Sequence, residues 1–240
     1  MLPRVTEGRR KTPKVPTDGT APEIRGLSVV WLGAFNPTIV SPDWFSRHEL
    51  LRKSELEQAR IEIVTPDFAK FQVDWLTVQI TQNQFQVVTT SYERSHQLRD
   101  LASGILTLLP ETPIRAMGVN NDMHFAVEGE AAWHKVGNSL TPKNIWKSTM
   151  KNPGMRSVAI EDGRDDGYQG YVRVTIQPSV QIAPGIYVQV NEHFQFSPND
   201  SPLQSGDAKL GVELLNDSWE SLMARSESFS AVVTGLTRAS

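Results

Sequence analysis

The sequence predicts an α+β protein of two related halves, each an antiparallel β-meander with amphipathic helices packed on one face. Three observations predict it. Alternating apolar runs recur in both halves, FQVDWLTVQITQNQFQVV at 71–88 and YVRVTIQPSVQIAPGIYVQV at 171–190. Each half closes on a helical stripe: Leu98, Leu101, Ala102, Ile105, Leu108 and Leu109 in the first, Val212, Leu215, Trp219, Leu222 and Met223 in the second. Each half also sets a helix with an early Trp between its first strand and its meander, Trp44 beside His48 and Trp133 beside His134. A repeat of about 100 residues is too long for a solenoid unit and reads as a duplicated module.

In order, 1–23 is a basic, Pro-rich stretch, with Arg4, Arg9, Arg10, Lys11 and Lys14 against Glu7, and is expected to be a disordered tail. A single domain follows, with halves at about 24–110 and 111–240. The run LSVVWLGAF at 27–35 is the first strand, ended by Asn36-Pro37. Ser41-Pro42-Asp43 then starts a helix: Ser41 caps, Pro42 suits the first turn and Asp43 favours the positive dipole end. That helix is expected to reach about residue 60.

A short strand at 61–64 comes next. The following run, 71–80, changes face midway, which suggests a bulge or a strand covered on both sides. Gln82-Asn83 marks a hairpin. A helix spans about 92–109 and stops at Pro110. Residues 112–127 are extended. Helices are expected from Gly129 to Gly137-Asn138 and again from Thr141-Pro142. Strands at 155–160, 168–176 and 186–190 follow, then a polar connector at 197–206 and the last long helix from about Asp207.

This layout resembles an uncharacterised, patchily distributed family of bacterial proteins of similar length. They share a duplicated α+β arrangement with an aromatic-rich hairpin followed by a helix. The resemblance covers about 27–225. It is strongest over LLPETPIRAMGVNNDMHF, where a helix feeds a strand ending in Asn residues. It implies a fold but no activity, so no residue role is carried over from it.

Composition bounds the function. The net charge is −3 and the pI about 6.0, so no global field favours nucleic acid. The absence of Cys excludes disulfides, thiolate ligands and a Cys nucleophile, and agrees with the cytoplasm as the expected location. No apolar run approaches the roughly 20 residues of a membrane span, and no apolar stretch follows the basic N-terminus as in a signal peptide.

No motif in the chain specifies a reaction or a cofactor, and none is expected. The function expected is therefore that of a non-enzymatic binding or adaptor protein, engaging a protein partner through a sheet face or groove, with a homodimer as one form. Trp31, Trp75 and Trp146 are the candidate partner anchors, because a large apolar side chain on an outer strand face suits that role. Two alternatives stand beside it. In a metal- or His-dependent hydrolase, Asp122, His124 and His193 would be the catalytic candidates and His124 and His193 the metal candidates, each His lying near a strand end among polar residues. Their spacing matches no His-Glu-x-x-His pattern. In a nucleic-acid-associated regulator the basic tail would touch phosphates, although no basic residues interleave with the aromatic side chains. The acidic run EDGRDDG at 161–167 lacks the ligand order of a calcium loop and reads as a solvated hairpin loop.

Overall fold

Two strands far apart in the chain, β1 (Ile24–Gly33) and β6 (Ile114–Ala126), run antiparallel side by side at the centre of one sheet. The computed structural model describes residues 21–198, 202 and 207–237. The expected tail lies outside these except for 21–23, and Glu23 already donates its backbone N–H to the His124 carbonyl. Most of the expected connector, 199–201 and 203–206, also lies outside them.

From β1 the chain passes through a 3-10 turn (Pro37–Ile39) and two short helices, α1 (Pro42–Arg47) and α2 (Lys53–Leu56). It reaches one edge of the sheet as β2 (Arg60–Val64). It then steps inward through β3 (Phe68–Val73), β4 (Leu76–Thr81) and β5 (Gln84–Thr89), and β5 pairs with β1. Helix α3 (Ser95–Leu108) leads to β6. From β6, helix α4 (Gly129–Leu140) and a 3-10 turn (Lys143–Trp146) carry the chain to the opposite edge at β7 (Val158–Gly163). β8 (Gly170–Pro178) and β9 (Gly185–Gln195) step back inward, and β9 pairs with β6 before the 29-residue helix α5 (Asp207–Gly235). The sheet order is β2-β3-β4-β5-β1-β6-β9-β8-β7, every neighbouring pair antiparallel.

The pleat divides each strand's side chains between two faces. On one face Leu27, Val29 and Trp31 of β1 and Met117 and Val119 of β6 share a core with Phe45 of α1, Leu98 and Ile105 of α3, and Leu214 and Trp219 of α5. A second core joins Met123 and Phe125 of β6, Val172, Val174 and Ile176 of β8, and Val136 of α4.

Several local expectations are corrected. The helix expected at 41–60 is broken. Ser41 does cap it, accepting the Trp44 N–H at 3.2 Å, but Glu49 adopts φ 55° and ends the helical run. The face change in 71–80 is neither a bulge nor a doubly covered strand. A two-residue turn at Asp74-Trp75 reverses the chain, so Val73 and Leu76 lie opposite each other and both point into the core. Gly137-Asn138 does not stop α4, which continues to Leu140; there Thr141 bonds back to the Gly137 carbonyl through its N–H at 2.9 Å and its hydroxyl at 2.8 Å. The helix expected from Thr141 is only the 3-10 turn at Lys143–Trp146.

The acidic run is not a free loop either. The side chain of Arg164, from its middle, has no exposed surface, and its guanidinium lies 3.8 Å from the centroid of the Phe194 ring. It donates to Glu192 of β9 at 2.7 Å and to Asp166 at 3.0 Å. Arg225 of α5 meets Glu192 at 3.1 Å and Asp166 at 3.2 Å. Burial pushes the Glu192 carboxyl above its ordinary value, against the pull of Arg164 and Arg225. Burial also raises Asp166, but the bond and charge of Arg164, with the Tyr168 N–H and Arg225, carry it below its ordinary value.

Candidate functional site

The face of the sheet opposite the two cores is polar and half-exposed along four neighbouring strands, β1, β6, β9 and β8. Its side chains fall in rows set by register. Val30, Gly118, His193 and Tyr171 make one row across β1, β6, β9 and β8. Ser28, Asn120, Asn191 and Arg173 make the next, then Gly26, Asp122, Gln189 and Thr175. The alternation that buries Met117, Val119, Met123 and Phe125 turns Gly118, Asn120, Asp122 and His124 outward. Gly118 leaves a depression at the centre; a Cβ there would stand 3.3 Å from the Asn191 amide nitrogen. The groove above it has a volume of about 370 Å³ and reaches Leu32, Asn120, Arg173 and His193.

Hydrogen bonds within the face hold its side chains in place. Asn191 donates to Asn120 Oδ1 at 2.5 Å, and Asn120 donates to Ser28 Oγ at 3.1 Å. His193 stacks on Tyr171 with ring centroids 4.4 Å apart, and Arg173 lies 4.6 Å from the same Tyr171 ring while pairing with Glu161. Further along, Asp122 Oδ1 accepts from the Tyr187 hydroxyl and, at 2.9 Å, from Gln189. Burial and then the Asp122 bond and charge hold the Tyr187 phenol far above its usual range.

His124 is anchored on one side. Ser179 Oγ accepts the N–H groups of Gln181 at 3.1 Å and Ile182 at 2.9 Å, which leaves its own hydrogen to donate to His124 Nδ1 at 2.9 Å. That assigns the ring proton to Nε2. Burial lowers the His124 pKa, with Asp122 opposing. The unfolded chain therefore binds this proton more readily than the fold does. The contribution to stability is complete above the ordinary value of 6.5 and is lost as pH falls from there through the lowered value of the folded state. His124 is expected to titrate below 6.5 when its Cε1–H shift is followed by NMR. His124→Asn should flatten the stability profile below the ordinary value of 6.5. A midpoint above 6.5 would contradict the burial argument.

The candidate residues of the sequence fall in different places. His124 and His193 do not converge. His193 sits opposite Gly118, six positions along β6 from His124, so about 20 Å of strand separates the two rows. Asp122 lies two residues from His124 on the same face but spends one oxygen on Tyr187 and Gln189. Among the described residues no group of three or more His, Asp or Glu side chains is placed to hold a metal ion. Nor is any helix among them long and apolar enough to cross a membrane.

Two of the three Trp anchors are corrected. Trp31 has no exposed surface and packs edge-on against Phe85, with centroids 5.3 Å apart. Trp75 is 5% exposed and donates Nε1–H to Glu55 at 2.9 Å. Both belong to the buried core, so neither is placed to anchor a partner. Trp146 is 47% exposed. Lys143 lies three residues before it and Lys147 directly after it.

Sequence reasoning missed Tyr171, Arg173, Gln189 and Asn191. They are the polar phase of strands whose apolar phase includes Val172, Val174, Val188 and Val190, and alternation alone does not show which polar residues meet across strands. Comparison with protein-family models finds none that matches this chain, and comparison with curated proteins finds no match either.

Proposed function

We propose that this chain is a non-enzymatic binding protein whose uncovered polar sheet face receives a protein partner in the cytoplasm. One observation carries the reading. The face is continuous across β1, β6, β9 and β8, and its Asn, Gln, Tyr, His and Arg side chains are fixed by mutual contacts. Side chains already held in place lose little further freedom on association. Tyr and Arg, which lie together here at Tyr171 and Arg173, are residues in which interface energy concentrates.

Two related halves, with helices on one side, account for the way the face is built. In each half a central strand is followed by helix, an edge-to-centre meander and a long helix, with β1 and β6 meeting at the seam. A second copy of the chain is one candidate partner. Edge strand β2 leaves Ile61, Ile63 and Val64 exposed at 57%, 41% and 49%, and an unpaired edge of that kind can accept another strand.

The test is capture at native level from the chain's own host, with wild type beside Arg173→Glu/His193→Ala. A stoichiometric protein retained by wild type is expected to be held about tenfold or more weakly by the double variant, with stability changed by less than about 1 kcal/mol. A partner held equally by both would remove the sheet face from the mechanism.

A further inference from the structure

A second concavity lies on the other side of the sheet from this face, between α4, the chain that follows it, and the ends of β8 and β9. Its volume is about 790 Å³, within the usual range of small-molecule sites. Its inner surface is apolar: Trp133, Val136, Met155, Pro178 and Ile186. Trp133 is fixed there by its Nε1–H, which donates to the Gly185 carbonyl at 3.0 Å. The rim is basic, with Lys143, Lys147 and Lys151 at intervals of four residues.

The charge is concentrated here in a chain whose net charge is −3. From Ala131 to Ile160 the sequence contains Lys135, Lys143, Lys147, Lys151 and Arg156 and no Asp or Glu. Among the described residues none of these five cations takes part in an ion pair. The contrast with Arg164 and Arg225 is plain: they share Asp166 and Glu192, and Arg225 also meets Asp165. Met150, which also lines the groove, is 53% exposed. An apolar floor under a rim of unneutralised lysines complements one kind of molecule, with a hydrophobic body and a negative head.

We infer that this groove is a binding site for a small organic anion with an apolar body, the body seated against Trp133, Val136 and Ile186 and the head met by Lys143, Lys147 and Lys151. The basic N-terminal stretch of the chain carries the wrong charge to occupy it. A nucleic acid strand would use the lysines and Trp146 but not the apolar floor, which lies below the reach of a solvated backbone. The site is independent of the sheet-face reading, since none of these six residues lies on that face.

The test uses the full chain with two fluorescent molecules of matched aromatic body, the sulfonate 1-anilinonaphthalene-8-sulfonate and the neutral N-phenyl-1-naphthylamine. The sulfonate is expected to saturate one site. Lys143→Gln/Lys147→Gln/Lys151→Gln should weaken it by about tenfold or more while leaving binding of the neutral compound within about twofold. The three lysines lie on the surface, so the variant folds as wild type does, and an unchanged unfolding midpoint confirms that. Equal binding of the sulfonate to wild type and variant would overturn the proposal, as would no saturable binding to wild type. A dodecathymidylate that displaces the sulfonate from the site would overturn it in favour of nucleic acid.

Discussion

Glu192→Ala is expected to cost about 3–5 kcal/mol of stability, enough to unfold many domains of ordinary stability. Glu192 and Arg164 have side chains 1% and 0% exposed. Deleting the carboxylate leaves the Arg164 guanidinium in the interior facing only Asp166, and removes one carboxylate from Arg225 as well. The penalty comes chiefly from the charge left behind. Removing both members, as in Glu192→Met/Arg164→Met, should therefore cost less than the sum of the two single changes, with a coupling of at least about 1 kcal/mol. Urea unfolding of the four proteins of this cycle measures it. Additive effects would mean that the two groups do not depend on each other.

Trp31→Ala is expected to destabilise by about 3–5 kcal/mol, whereas Trp146→Ala should change stability by no more than about 0.5 kcal/mol. Trp31 sits on the central strand with no exposed surface, and its removal opens a void against Phe85 that the sheet cannot collapse to fill. Trp146 stands on a 3-10 turn, 47% exposed, and little else rests on it. Thermal unfolding of the two variants separates a core side chain from a surface one. A tolerant Trp31→Ala would contradict the burial of that ring.

The strands are readable in the sequence where apolar side chains run together, as in 27–35, or alternate, as in 171–176, and α3 where its stripe recurs at helical spacing. The two long helices and the hairpin at Gln82-Asn83 stand close to their expected places. Reversal at Asp74-Trp75 is hard to see in the sequence because Asp74, a common turn former, is followed by Trp rather than by the Gly of a strong hairpin signal, and the shift of parity it causes resembles a bulge. Trp31 and Trp75 were misread because alternation assigns residues to two faces without saying which one the helices cover. Arg164 shows a different limit. Within EDGRDDG it looks like one charge among several in a wet loop. Only the pairing of β8 with β9, bringing Glu192 close, turns that Arg into an interior group. The open face was half-read: Asp122, His124 and His193 lie on it, but the pairing that spreads them over several rows is a long-range property no local pattern carries.

The seam between β1 and β6 has a consequence for the order in which the chain is made. β1 pairs on one side with β5, whose last residue is Thr89, and on the other with β6, whose last residue is Ala126. Between the emergence of those two residues from the ribosome the nascent sheet ends at β1 itself. Its hydrogen-bonding edge is then open along the strand that carries Leu27, Val29 and Trp31. A stall in that interval exposes the strand that later lies at the very middle of the sheet, and it is there that a second nascent chain would add most readily in the place of β6.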